Sequence, residues 1–258
     1  MGSDWLLPVY GLVVGVLVGL TGMGGGVLMT PLLMLGLGMP ATAAVGTDLA
    51  YSTLTKFAGA WQHLRQGTVD TSVVRGLAIG SLPGTIVALV LLASLRGENQ
   101  DRLNLVLERS IGVMLAVAAV LMLRRVLMRR DDHTASLLQE ARHRGVRLAA
   151  IGALGGFAVG LTSIGSGSLI IALLVMTVPL GAEQLVGTDV AHAFLLVGVA
   201  AIGHLFLGDV DLPLAVKLLS GSIPGVLIGS RLTLRVPRRP LQIGLAGLLL
   251  STALTLVR

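Results

Sequence analysis

Long apolar runs alternate with short polar stretches along the whole chain. Ten can be marked, at roughly residues 5–21, 26–39, 41–64, 72–95, 105–124, 146–162, 167–180, 182–207, 212–234 and 240–257. A helix needs about 20 residues to cross a bilayer core, so most of these runs predict membrane-spanning helices. Segments 26–39 and 167–180 are too short for a perpendicular span. They predict half-helices, re-entrant segments or short spans packed inside protein.

The pattern repeats at a constant offset of 141 residues. GLTGMGGGVL at 19–28 returns as GLTSIGSGSL at 160–169, and Val45-Gly46-Thr47-Asp48 as Val186-Gly187-Thr188-Asp189. Gly80-Ser81-Leu82-Pro83-Gly84 returns as Gly221-Ser222-Ile223-Pro224-Gly225. From Gly15 to Gly84, 28 of 70 positions are identical without a gap, which compositional bias does not produce in one register. Each half holds five segments. The predicted organisation is a first transmembrane repeat at 1–124, a basic linker at 125–145 and a second repeat at 146–258. Together they form one all-α transport domain of about ten hydrophobic helices.

Composition narrows the class. Hydrophobic residues make up 54% of the 258 positions and charged residues 12%, about half the share usual in a soluble domain. Mean hydropathy is +0.89. These values exclude an ordinary soluble enzyme and a disordered chain. The net charge of +6 does not indicate nucleic acid, because the basic residues gather in short stretches between apolar runs. Met1 to Asp4 carry no Lys or Arg, so no signal peptide is expected and the whole chain is read as mature. There is no Cys, hence no disulfide and no thiol chemistry.

Charge also orients the segments. Arg124, Arg125, Arg129, Arg130, Arg142, Arg144 and Arg147 place the linker in the cytoplasm. Arg231, Arg235, Arg238 and Arg239 then fall inside only if the first two segments of each repeat together return the chain to its starting side. The count is 13 basic residues inside and five outside, with Lys56 left within a span. Both termini are expected outside, and the two repeats have opposite orientations. Inverted repeats with interrupted segments at matching positions are a transporter signature, with the binding site near the midplane.

The interruptions are the first candidate chemistry. Thr21, Gly22, Gly24, Gly25 and Gly26 in the first half, and Thr162, Ser163, Gly165, Ser166 and Gly167 in the second, separate two apolar segments each. Non-helical backbone at membrane depth is tolerated where it lines protein or a cavity. Free N–H groups and hydroxyls at such breaks can hold an anion. The bland alternative is a tight turn with no ligand; the paired occurrence favours the site.

Asp48 and Asp189 lie within the third segment of each repeat. A carboxylate inside a span costs roughly 2.5–3.5 kcal/mol on insertion scales, so each is a functional candidate unless it merely caps a helix. Asp48, Ser52, Thr55, Lys56, Gly59 and His63 form one polar stripe at helical spacing. The second half keeps Asp189, His192 and His204 but has Val197 in place of Lys56. Lys56 is expected to contact an anionic substrate or to pair with a carboxylate. Asp48, Asp189 and His192 are candidates for coupling that substrate to protons. His63 and His204 each precede an Asp by seven residues, Asp70 and Asp211, which predicts loop-stabilising contacts. Gly at spacings of four in segments one and four predicts close helix packing, and Pro83 and Pro224 predict kinks. No metal-ligand spacing, nucleophile elbow or phosphate loop is present, so no metal, cofactor or catalytic set is expected.

The pattern Gly-x-Gly-Gly-Gly-x-Leu-x-x-Pro-x-Leu at 22–33, the Ala-x-x-Ala-Val-Gly-Thr stretch at 41–47 and their weaker repetition at 160–188 resemble the TauE/SafE sulfite exporter family. The resemblance covers essentially the whole chain. It implies a multi-pass carrier in the cell (inner) membrane that moves sulfite, sulfonates, thiosulfate or a similar small anion. Many members carry Ser after the Gly-Thr; this chain has Asp48 and Asp189 there. The leading reading is therefore an exporter of a small sulfur-containing anion, with proton coupling. Its competitors are an anion channel or importer on the same scaffold, an inert membrane scaffold and a membrane enzyme. The partners expected are the anion, protons and the lipid bilayer, with no nucleic acid. Oligomeric state is not fixed by these features.

Overall fold

The computed structural model describes residues 6–21, 25–96, 100–127, 141–232 and 238–257. The described residues contain helices and no strand. The helices are α1 (Leu6–Thr21), α2 (Gly26–Pro31), α3 (Ala41–Arg65), α4 (Thr71–Leu95), α5 (Gln100–Leu127), α6 (Ala141–Thr162), α7 (Ser168–Thr177), α8 (Ala182–Phe206), α9 (Leu212–Leu232) and α10 (Arg238–Val257). Each apolar run became one helix, except 26–39, which became α2 followed by a short π-helical turn. Adding 141 to the bounds of α3 gives those of α8.

Local chemistry sets the ends. Asp70 starts α4 by accepting hydrogen bonds from the Ser72 and Val73 N–H groups at 2.9 and 3.1 Å. Asp211 does the same for Leu214 at the start of α9, at 2.9 Å. Gly67 (φ 68°) and Gly208 (φ 74°) turn the chain between those pairs of helices in the left-handed region that glycine enters freely. Segment 26–39 differs from a plain half-helix. Pro31 cannot donate a backbone hydrogen bond, and the helix passes there into a π-helical turn, Leu32–Gly36. The matching segment has Ala172 and stays α-helical to Thr177, two residues before Pro179. Both α5 and α6 extend into the expected linker 125–145, whose residues 128–140 lie outside the described residues.

Among the described residues, six helices are long and apolar enough to cross a membrane: α4, α5, α6, α8, α9 and α10. α3 is long enough but carries the polar stripe, and α1 and α2 are shorter. Large apolar side chains such as Ile79, Val90, Leu154 and Leu254 face outward, as expected for a surface that meets lipid rather than water.

Glycine faces bring two helix pairs into backbone contact. α1 runs parallel to α9, with Gly11 against Leu218 and Gly15 against Ser222. α6 runs parallel to α4 in the same way, with Gly152 against Leu77 and Gly156 against Ser81. Each contact in one pair has its counterpart 141 residues away in the other. α3 and α8 run antiparallel: Gly59 meets Val190, Phe57 meets Phe194 and Thr53 meets Gly198. A Cβ added at Gly80 would lie 1.8 Å from the Ala149 carbonyl oxygen. Gly80→Ala should therefore lower thermal stability in detergent by about 1–3 kcal/mol, the cost of overpacking. Gly244→Ala, in open space on α10, should leave it unchanged or raise it. Equal unfolding temperatures for the two variants would contradict the close approach of α4 and α6.

Candidate functional site

The site is built on α3, where Asp48, Ser52 and Lys56 of the polar stripe face the two chain breaks and Gly59 and His63 further along meet α8. Asp48 lies two turns inside the helix and is fully buried, so it does not cap the helix start. Its Oδ2 accepts hydrogen bonds from Thr30 Oγ1 and Ser163 Oγ, both at 2.7 Å, and its Oδ1 accepts one from Ser52 Oγ at 3.2 Å. Three hydroxyl donors around two oxygens suit an ionised carboxylate, which only accepts. They also tie α3 to α2 and to the second break.

Lys56 lies two turns further along α3 and is half-buried. Its Nζ donates to the Ser166 carbonyl oxygen at 2.7 Å and contacts Ser166 Oγ at 2.5 Å. The ammonium thus sits on the second break, and its charge acts on Asp189 and Asp48. Asp48 and Lys56 lie too far apart along α3 for a direct bond, about 12 Å at 1.5 Å per residue. Both reach the same break, at residues three apart.

The breaks touch each other. A Cβ at Gly26 would lie 2.4 Å from the Ser163 carbonyl oxygen, and one at Gly25 would lie 3.0 Å from the Tyr51 ring. Ser163 is held at φ 61°, an uncommon conformation for a residue with a side chain, and Gly165 is at φ 122°. Such backbone costs about 1–3 kcal/mol and persists where surrounding contacts enforce it. Here the bond from Ser163 to Asp48 supplies that contact. α7 begins after this break with no side-chain cap at Gly167.

The remaining expected site residues divide into two groups. Thr162 Oγ1 donates to the Ala158 carbonyl at 2.7 Å and accepts from the Ile164 N–H at 3.2 Å, so its hydroxyl shapes the break. Asp189 and His192 are buried on α8 beside this region. Gly22 and Gly24 lie outside the described residues, and Thr21 is described only as the last residue of α1.

Three features were missed in the sequence. Thr30 binds Asp48 from another element 18 residues away, with nothing in its own segment to mark it. Ser81 and Ser222 were read only as members of a repeated motif, not as residues of the site. Ser81 Oγ lies 2.9 Å from His192 Nε2, and Ser222 is hydrogen-bonded to the Tyr51 hydroxyl. Finally, the loop contacts of the histidines differ from those expected. His63 Nδ1 meets Thr68 Oγ1 at 2.9 Å, and His204 Nδ1 meets Asp209 Oδ2 at 3.1 Å, each five residues on rather than seven. Asp209 also pairs with Arg96, and His204 Nε2 reaches the Gly160 carbonyl at 2.9 Å.

The profile of the family described as "Sulfite exporter TauE/SafE" matches residues 7–256. The chain belongs to the TauE/SafE sulfite exporter family. This TauE/SafE member is 43% identical over 248 residues to "Probable membrane transporter protein YjnA" of Bacillus subtilis (strain 168), covering 96% of this chain and 97% of that one. It is 29% identical to "Probable membrane transporter protein YdhB" of the same organism, covering 92% and 95%. No solved structure matches the chain. Like its TauE/SafE relatives, the protein is a multi-pass membrane transporter and not an enzyme.

Proposed function

We propose that this transporter is a secondary carrier that exports a small sulfur-containing anion, such as sulfite or an organosulfonate, with its movement coupled to protons. The observation that carries this reading is the Lys56 ammonium resting on Ser166, where the two breaks meet. A cation at membrane depth favours an anion there, and it lies beside hydroxyls and a helix start without a side-chain cap rather than against a directly bonded carboxylate. The anion would sit among Gly25, Gly26, Lys56, Ser163, Gly165, Ser166 and Gly167, next to Thr21 and Thr162. Asp48 and Asp189 would carry the proton: an arriving anion weakens the hold of Lys56 on the carboxylates and so favours their protonation.

The same reading makes the protein an inverted repeat, 1–124 against 146–258, joined by a cytoplasmic linker. The antiparallel α3 and α8 support it, because equivalent helices of two repeats then cross the membrane in opposite senses. The parallel pairs α1 with α9 and α4 with α6 agree with the parity drawn from the arginines. Accessibility tags in the linker should react from the cytoplasmic side; tags that react from outside would overturn the orientation.

The function itself is tested with purified protein in proteoliposomes. Labelled sulfite should enter faster than into protein-free vesicles, and an imposed pH gradient should change the rate. Uptake no faster than the protein-free control would refute the carrier reading. Uptake insensitive to the gradient would leave a carrier without proton coupling.

A further inference from the structure

Among the described residues, Lys56 is the cation at the proposed anion site, and a second contact would fix the anion's orientation. His192 is fully buried on α8. Its Nε2 lies 2.9 Å from Ser81 Oγ on α4. Its Nδ1 is buried and has no hydrogen-bond partner among the described residues. Buried polar atoms are almost always paired, so this one calls for a partner that the described residues do not supply.

Symmetry sharpens the point. The residue 141 positions earlier is Tyr51, which makes the equivalent bond to Ser222, the counterpart of Ser81. Tyrosine has a single polar atom and commits it there. Histidine at the matching place makes the same bond and keeps a second nitrogen. The antiparallel packing of Phe57 on Phe194, with ring centroids 5.5 Å apart, sets Lys56 and His192 at nearly the same level. The Lys56 charge acts on the imidazole. Thus a buried nitrogen that the repeat does not account for lies near Lys56, a cation whose repeat position holds Val197.

We propose that His192 is a second substrate contact, its Nδ1–H donating to an oxygen of the anion that Lys56 holds. In this arrangement the Ser81 hydroxyl donates to Nε2, which goes with the neutral tautomer that carries its proton on Nδ1. A cation and an N–H donor side by side select an anion with two or more oxygens on one centre, such as sulfite or a sulfonate, over a monatomic halide. This inference rests on the anion site described above.

Two substitutions separate ligand binding from structure. In His192→Asn the amide takes the place of Nδ1 and the Ser81 bond is lost. In His192→Gln the amide reaches Ser81 and the Nδ1 donor is lost. Equilibrium binding of labelled sulfite and of methanesulfonate should weaken at least tenfold in the Gln variant and less than threefold in the Asn variant. The reverse order, equal losses, or wild-type binding in His192→Gln would each overturn the proposal. Should either variant fail to fold, nitrogen NMR of labelled histidine in the wild-type protein decides. A protonated Nδ1 whose shift moves on adding methanesulfonate supports the contact, and a resonance unmoved at saturation overturns it. A wild-type protein that binds neither anion overturns the anion site and this contact with it. Binding in the wild type with an unaffected Gln variant overturns the contact alone.

Discussion

Lys56→Met is expected to weaken binding of the transported anion by about 10- to 150-fold while leaving the protein folded. A hydrogen bond to a charged group contributes about 1.5–3 kcal/mol, and each 1.4 kcal/mol is tenfold in affinity. Methionine fills nearly the same volume without the charge. Removing the cation leaves the Ser166 oxygens and the nearby Asp189 and Asp48 without it, a structural cost that thermal unfolding reads separately from binding. Lys56→Arg should retain part of the affinity, because the charge remains and only the geometry changes. The measurement is equilibrium binding of labelled sulfite, with thermal unfolding as the fold control. Wild-type affinity in the Met variant would place the anion elsewhere.

The second large effect concerns Asp48. Asp48→Ala removes the acceptor shared by Thr30, Ser52 and Ser163 and leaves three hydroxyls in a closed space. An unsatisfied buried group costs about 1–3 kcal/mol, and Ser163 also loses the bond that holds its left-handed backbone. The Ala variant should lose several kcal/mol of stability and yield little folded protein. Asp48→Asn keeps an acceptor oxygen and nearly the same shape but cannot take up a proton. It should bind anion within about threefold of wild type, an affinity change of at most ~0.7 kcal/mol. Its uptake in proteoliposomes should no longer respond to an imposed pH gradient. If both Asp48→Asn and Asp189→Asn respond as the wild type does, the carboxylates are structural and the coupling assignment is wrong.

How much of this could be read from the chain depends on the kind of contact. Helix bounds were legible because apolar runs and their repeat at 141 residues are local signals. The close pairs α1 with α9 and α4 with α6 were legible in part, since glycines spaced by four announce a packing face without naming the partner. The partner of Lys56 was not legible. Ser166 lies 110 residues away, and Val197 at the repeat position gives no symmetric hint. Ser163 was legible as a break residue but not as a ligand of Asp48, because its direction depends on a backbone conformation that only the assembled fold imposes. The histidines show the same limit at short range. Asp70 and Asp211 looked like partners for His63 and His204, but the turns at Gly67 and Gly208 bring the residue five positions on to each imidazole. Those aspartates begin the next helices instead.

The central claim is that the contact between the two breaks is where the anion binds. The chain contains no cysteine, so Ser166→Cys introduces a single thiol beside Lys56 without further changes. Its rate of labelling by a small charged thiol reagent should fall at least fivefold when methanesulfonate is raised to saturation. A control cysteine at exposed Gln66, in the loop after α3, should label at an unchanged rate. Labelling of Cys at 166 that is equally fast with and without saturating anion would contradict the account.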